Sequence, residues 1–567
     1  MNEKEQIVKS LKKVFLKNKI NLKDEKIENL IEIPPSQEMG DFAFPCFVLA
    51  KFMKKNPKDI AIQIRGDIDN KGFEDIQTSG AYINFFVNRK KFAWQLVKQI
   101  LDEKESFGKP ELESEKVMVE FSQPNTHKAF HVGHIRGTSL GESISRILEF
   151  AGNKVIRANY SGDTGMHIAK WIWCYKKYHS KQKLKKDESW IASIYVDAVK
   201  RLAKNEKLQE QVEEINRKIE NKSDKKINEL WKKTRSLSIE SWKKIYEQLN
   251  TFFDVHYFES EVEQKGKEIA EELLKNNIAK KSDGAVIMDL QEYKLGVWVL
   301  LRKDNTVLYS AKDLALAEKK FIDFPDLQKS LYLIANEQDL HFKQLVKTLE
   351  LAKLNYADKL QHFSYGMVRL PTGKMSSRTG ENILYSYFID EMMKYAKKEI
   401  KKREPKVSKK ELEKRALKIS IAAIKYSMLK QGASRNIIFN SKDALNFEGD
   451  TGPYILYTYA RASSILKKAK KKLSENLEIK NLEEKEIELT KKLSQFPEVV
   501  LDAYKNYNPS MIANYSYQLA QIFNEFYHSC PVINSDNESF RLSLLEAFRY
   551  VLKNSLNLLG IDTIEKM

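Results

Sequence analysis

The sequence predicts a multidomain chain: a small α+β unit, a doubly wound, Rossmann-like α/β core, and an all-α carboxyl-terminal domain. Three observations predict it. Residues 117–121 are β-rich and mostly apolar, and a loop with Pro124 leads from them into helical spacing at Ile135, Leu140, Ile144, Ile147 and Leu148. That is the strand–loop–helix unit of a parallel sheet covered on both faces. A second strand, 154–161, follows the helix at crossover length, as a doubly wound sheet requires. From Phe447 onward apolar residues recur with helical period, for example Leu545, Phe548, Leu552 and Leu559, and Gly560 closes that run as a helix C-terminal cap.

Length and charge bound the rest. A chain of 567 residues has room for several domains, each with its own core. It carries 97 Lys+Arg against 78 Asp+Glu, a formal charge of +19. That excess favours a polyanionic partner, nucleic acid being the simplest; generally basic, solvated faces are the alternative. Cys46, Cys174 and Cys530 are far apart and no C-x-x-C occurs, so neither a zinc site nor a disulfide framework is expected. The start M-N-E-K-E-Q lacks an apolar segment, and no long apolar run follows. A signal peptide and a membrane span are therefore not expected, and a soluble cytoplasmic protein is.

Taken in order, residues 1–105 read as the α+β unit. A helix carries Ile7, Leu11, Val14 and Phe15; a Pro- and Gly-punctuated loop follows; 81–87 form a strand and 91–101 a helix. The core spans 106–380. Glu120 interrupts its first strand near the carboxyl end, and a buried carboxylate needs a hydrogen-bonded or cationic partner. His131 and His134, three apart at the helix entry, share one face. Gly133 between them leaves room for a ligand to approach the backbone. Free N–H groups and the helix dipole make this an anion site, where two imidazoles can donate to phosphate oxygens. An ordinary polar helix start is the plainer reading of the pair. No third ligand lies at metal-like spacing. Residues 176–250 are charged and helical, with Trp190, Trp231 and Trp242 as packing anchors in an insertion. Strand candidates return at 297–301 and 331–335. Residues 381–446 form a basic helical connection in which Pro405 ends one helix and Ser408 with Glu411 caps the next. That connection is either a solvated hairpin or a phosphate-contacting surface. The helical domain covers 447–567.

Several motifs resemble one family. P-N-x-x-K-x-x-H-x-G-H-x-R from Pro124 to Arg136 resembles the H-x-G-H signature of class I aminoacyl-tRNA synthetases in its arginyl-tRNA synthetase form. Similar in the same sense are G-D-F-A and Y-I-N-F in the first unit, A-N-Y-S-G-D-T-G at 158–165, V-L-Y-S-A-K-D-L-A, N-E-Q-D-L-H, and the terminal I-D-T-I-E-K-M. Lys374-Met375-Ser376-Ser377-Arg378 resembles the K-M-S-K-S loop, with Ser377 in place of the second Lys.

The resemblance implies an ATP-dependent ligase that forms arginyl-adenylate and transfers arginine to the 3′-terminal ribose of tRNA(Arg). It implies that His131, His134, Lys128 and Lys374 serve catalysis, with Lys128 compensating for the missing Lys. Gly133, Met375, Ser376 and Ser377 would join them at ATP, and Mg²⁺ would accompany the nucleotide. Glu120, Asn125, Tyr309, Asp313 and Gln338 would hold arginine. The helical domain would bind the anticodon, with Tyr454, Tyr457, Tyr459, Arg461 and Met567 as RNA contacts, and the first unit would approach the tRNA elbow. A monomer is implied. Independently of the family, a guanidinium wants carboxylates in planar, bidentate reach. Three alternatives stand beside this: another class I synthetase such as the cysteinyl type, a small-molecule nucleotidylyltransferase, and a non-catalytic RNA-binding paralogue.

Overall fold

The computed structural model describes residues 3–369, 384–469 and 479–567. They fall into two compact units. The first comprises Met1–Lys104, Ala469–Ser494 and Ile522–Phe548; the second comprises Glu105–Lys468, Gln495–Gln521 and Arg549–Met567.

In the first unit, strands β1 (Phe42–Pro45), β2 (Phe73–Ser79) and β3 (Tyr82–Val87) form an antiparallel sheet with β3 in the centre. Its apolar face packs with the helices Glu3–Lys17 and Pro57–Asp67 around Leu11, Phe15, Phe44, Ile64 and Phe85, all fully buried. Alternation along β3 sends Ile83 and Phe85 inward, as a one-sided antiparallel strand should.

The second unit contains, in chain order, β4 (Lys116–Glu120), β5 (Lys154–Ser161), β6 (Val255–Phe258), β7 (Lys280–Ser282), β8 (Ala285–Asp289), β9 (Val297–Leu301), β10 (Lys329–Ala335), β11 (Leu360–Tyr365), β12 (Val368–Arg369) and β13 (Ile437–Ile438). Five of them make one parallel sheet in the order β11-β10-β4-β5-β6. Chain order therefore reverses between β4 and β10. In a doubly wound sheet the ligand crevice opens at the carboxyl ends of the strands flanking that reversal. The loop after β4 and the turn Asn336–Gln338 after β10 both lie at those ends. The residue run 297–301, expected as part of the α/β core, instead closes a separate antiparallel sheet, β7-β8-β9.

Helices Glu188–Lys204, Gln209–Glu220 and Lys225–Gln248 build the charged insertion. Trp190, Trp231 and Trp242 are 9 %, 8 % and 1 % exposed, so they pack rather than stack on ligands. The basic connection is a helical hairpin, Tyr385–Arg403 and Lys409–Leu429, and most of its basic side chains, among them Lys398, Lys401, Lys402, Arg403, Lys406, Lys409, Lys410 and Lys414, are exposed, as the solvated reading has it. Its second helix, Lys409–Leu429, is largely buried, and Arg415 and Lys425 are buried with it. Arg415, Lys418 and Lys425 donate to the carbonyls of Lys566, Thr563 and Gly560. Arg415, Lys418 and Lys425 thus hold the carboxyl-terminal residues. Gly560 takes φ +66°, and Ile561 N–H reaches Leu556 O while Gly560 N–H reaches Asn557 O, a Schellman cap. Among the described residues no helix is long and apolar enough to cross a membrane.

Candidate active site

The loop after β4 is held in a demanding conformation. Ser122, Gln123 and His127 all have positive φ, at 79°, 50° and 61°. Each such non-glycine residue costs about 1 kcal/mol or more, so surrounding contacts must enforce it. Thr126 N–H binds Gly162 O at 2.9 Å. His127 meets Thr234 Oγ1 through Nε2 at 2.7 Å, and its backbone N–H donates to Ser238 Oγ at 3.1 Å. Tyr246 Oη meets Ser122 Oγ and Asn159 Nδ2. Thr234, Ser238 and Tyr246 lie on the helix Lys225–Gln248, so the insertion props the loop. Burial of His127 pushes its imidazole down to about 3, leaving it a neutral strut.

The loop delivers His131 and His134 to the start of the helix Val132–Phe150. His131 Nδ1 accepts the Gly133 N–H at 3.2 Å, and His134 Nδ1 accepts the His131 N–H at 3.1 Å. The two imidazoles thus make a reciprocal capping box. With both Nδ1 atoms accepting, the neutral rings carry their protons on Nε2. Burial first, then Lys128, moves His131 down to about 4, and burial with the charges of His131 and Lys128 moves His134 well below its usual range. Near neutrality the pair, stacked with centroids 3.9 Å apart, presents N–H donors without charge. Gly133 is partly exposed, and the space its side chain would fill is taken by the His131 ring. A Cβ there would stand 3.0 Å from the His131 ring, so glycine is needed for the imidazole to fold back onto the backbone.

The other side of the crevice is acidic. Tyr160, on β5, has its phenol pushed well up by burial and then by the carboxylates Asp313, Glu259, Glu120 and Asp163. Those four groups therefore converge on one place. Glu120 is 1 % exposed and finds the partner that burial demands: Lys320 Nζ at 2.5 Å and Gln123 Nε2 at 2.9 Å. Asp163 accepts from Ser260 and pairs with Arg235 at 2.8 Å. Glu259 shares Lys312 with Glu263 at 3.3 and 3.1 Å; burial raises its carboxyl even so. Asp313 accepts from His341 Nε2 at 2.6 Å. Asn125 belongs to the same wall: a Cβ at Gly162 would lie 2.4 Å from Asn125 Oδ1 and 3.0 Å from Glu259 Oε1. Tyr309 is 57 % exposed beside Asp313, and Gln338 is exposed after β10.

A cleft of about 1090 Å³ opens on the donor side. Asn125, Lys128, Ala129, His131 and His134 form one wall; Ser189, Ser193, Tyr195 and Lys200 of the insertion and Leu384, Tyr387, Asp390, Glu391 and Lys394 form the others. Lys128 Nζ lies 5.7 Å from the Tyr195 ring centroid, and burial and Lys170 lower its ammonium. Glu188 ties the walls together, accepting the backbone N–H of Phe130 at 3.1 Å and of Ser386 at 3.4 Å; burial raises its carboxyl to about 7. Lys374, Met375, Ser376, Ser377 and Arg378 lie outside the described residues.

Of the expected RNA contacts, Tyr459 is corrected: at 2 % exposure it is a core side chain, placed inward by the helical period of Gly452–Lys468. Tyr454, Tyr457, Arg461 and Met567 are partly exposed, and the Arg461 guanidinium lies 4.8 Å over the Tyr457 ring. Sequence reading missed Glu259, Asp163's cation Arg235, and His341. The four-residue β6 gave too short a pattern to mark Glu259 as a strand-end residue, although F-E-S follows the apolar stretch there.

Residues 96–441 match the family described as tRNA synthetases class I (R), catalytic domain. Residues 455–567 match the DALR anticodon binding domain, and residues 2–87 the arginyl tRNA synthetase N terminal domain. The arginine–tRNA ligase of Clostridium acetobutylicum is 37 % identical over 555 residues, covering 97 % of this chain and 98 % of its own. That of Clostridium perfringens is 37 % identical over 559 residues with the same coverage. The solved arginyl-tRNA synthetase of Thermus thermophilus superposes with TM-score 0.79 at 24 % identity over 100 % of both chains. That of Plasmodium falciparum gives 0.78 at 24 % over 99 % of both.

Proposed function

The chain belongs to the class I arginyl-tRNA synthetase family and is an arginine–tRNA ligase, and on that premise we propose how its cleft divides the work. The donor wall holds ATP and the acidic wall holds arginine. The observation that carries this division is the convergence of Glu120, Asp163, Glu259 and Asp313 on Tyr160, beside a histidine pair that offers only neutral N–H donors.

In the first step an oxygen of the arginine carboxylate attacks the α-phosphorus of ATP. The bond from that phosphorus to the α,β-bridging oxygen breaks, and pyrophosphate leaves with its electrons. In the second step the 2′-hydroxyl of the terminal tRNA ribose attacks the carbonyl carbon of the adenylate. The hydroxyl proton passes to the departing phosphate as the acyl–phosphate bond breaks, AMP leaves, and the ribose ester remains. Neither step needs a protein nucleophile; orientation and charge stabilisation suffice. His131 and His134 donate through Nε2 to phosphate oxygens, where fixed donors act on charge as it develops. Lys128 and Lys374 neutralise the triphosphate, with Gly133, Met375, Ser376 and Ser377 beside it. Asp313 and Tyr309 hold the guanidinium; Asn125 and Gln338 hold the amino-acid end. Glu120, its charge shared with Lys320, supplies negative potential from beneath.

Mg²⁺ supplies charge neutralisation on the phosphates when it is bound. Asp390 and Glu391 are cleft carboxylates that fit an ion held chiefly by phosphate oxygens, whereas Asp197 is taken by His179 and Arg201. Tyr454, Tyr457, Arg461 and Met567 meet tRNA, and the first unit meets its elbow. The enzyme works as a monomer, and in the cytoplasm, a reducing compartment with which the free, buried Cys46, Cys174 and Cys530 are consistent. The test is aminoacylation of total tRNA with each amino acid, alongside ATP–pyrophosphate exchange. Charging with arginine alone, and exchange that requires tRNA, are expected. Exchange that runs fully without RNA, or charging with another amino acid, would overturn the reading.

A further inference from the structure

Around Tyr160, Glu120, Asp163 and Glu259 each meet a cation: Lys320, Arg235 and Lys312. Asp313 meets an imidazole instead. Its Oδ2 lies 2.6 Å from His341 Nε2, and Nδ1 of the same ring accepts from Trp298 Nε1 at 3.1 Å. An indole nitrogen can only donate. Nδ1 must therefore present a lone pair, and the neutral ring carries its proton on Nε2, aimed at Asp313. An imidazolium would set Nδ1–H against the indole N–H. Both donors would then go unpaired where Trp298 is 4 % and His341 8 % exposed, which a buried site resists. Tyr309 lies against the same imidazole, centroids 4.7 Å apart. Three elements therefore fix one ring: Trp298 on β9, His341 on the helix Asp339–Leu351, and Tyr309 on the helix Tyr309–Asp323.

We infer that His341, its tautomer set by Trp298, is a positioning residue that aims Asp313 at the arginine guanidinium while leaving the carboxylate its full charge. A lysine or arginine at this place would make Asp313 another compensated pair, and the substrate would have to displace it. A neutral N–H donor orients Asp313 without competing for its charge. The remaining acid on the His341 helix near the crevice, Asp339, accepts from Ser364 Oγ at 2.7 Å and lies 3.9 Å from His362, so it is engaged elsewhere. The inference rests on the reading of Asp313 as the guanidinium ligand.

The test compares KM for arginine with KM for ATP in aminoacylation by the full-length enzyme. Asp313→Asn tests the underlying reading. His341→Phe keeps a ring under Tyr309 but removes the N–H, and His341→Gln restores an amide N–H near the position of Nε2. His341→Phe is expected to raise the arginine KM about tenfold, with the ATP KM within about twofold, the split that marks a lost ground-state contact. His341→Gln should recover most of that loss. Trp298→Phe, which frees the tautomer, should raise the arginine KM about threefold. If His341→Phe leaves the arginine KM unchanged while Asp313→Asn raises it, the inference falls and the reading of Asp313 survives. If His341→Phe raises both KM values alike, or His341→Gln fails to recover, the role is only structural and the inference falls. If Asp313→Asn has no arginine-selective effect, both fall together.

Discussion

The histidine wall and the acidic wall of the crevice hold their polar groups in opposite ways. His131 and His134 spend one nitrogen each on the backbone and keep the other free, so the wall we propose for ATP consists of neutral donors with Lys128 beside them. The acidic wall carries formal charges, and Glu120, Asp163 and Glu259 are matched by internal cations, with Asp313 alone among those four oriented by an imidazole. The difference follows from desolvation. An unmatched buried charge costs several kcal/mol, so a wall of carboxylates persists only when most are paired; Asp313, its side chain 23 % exposed and its hydrogen-bond partner an imidazole, is the one we propose a cationic substrate meets. Neutral donors need no such pairing, and their dipoles are fixed before charge develops.

The largest expected effect comes from removing a donor without breaking the cap. His134→Asn keeps an acceptor for the His131 N–H but loses Nε2–H. The expected result is a fall in kcat of about 10²–10³-fold, with the arginine KM nearly unchanged, measured by steady-state aminoacylation. A rise in arginine KM of similar size would erase the distinction between the walls.

A smaller effect appears in stability against pH. Burial moves His131 down to about 4 from an ordinary value near about 6.5. Between those values the unfolded chain binds the proton and the folded chain does not. Stability is therefore complete above about 6.5 and is lost as pH falls toward about 4. The expected loss from this ring is about 1–3 kcal/mol, read as the shift of the urea midpoint from pH 7 to pH 5. His131→Asn should flatten that slope; an unchanged slope would contradict the burial argument.

Local patterning made much of this architecture legible. β5 covers 154–161 as expected of a strand at crossover length from the helix, and the helix carrying Ile135 to Leu148 begins only three residues before its first periodic apolar position, at Val132. The need of Glu120 for a partner was also readable, because the cost of burying a carboxylate does not depend on fold. The identity of that partner was not: Lys320 lies 200 residues away, and only the β10–β4 pairing brings its helix under β4. The same distance hid Trp298–His341–Asp313. The run 297–301 read correctly as a strand but not as part of a separate antiparallel sheet, since five apolar residues carry no mark of which neighbours they pair with. Tyr459 misled for a related reason. It stands two residues from Tyr457, a spacing that puts neighbours on different sides of a helix, so one of the two had to face the core.

The division between the walls is tested by charge alone, with a substrate of nearly constant shape. L-citrulline replaces the guanidinium of L-arginine by a neutral urea. The ratio of kcat/KM for arginine over citrulline in the wild-type chain should be at least about 10³, as sites built around a specific polar group achieve. In Asp313→Asn that ratio should shrink by tenfold or more, about 1.4 kcal/mol, through loss on arginine and with the ATP KM unchanged. A ratio left at its wild-type value by Asp313→Asn would contradict the assignment of the acidic wall to arginine.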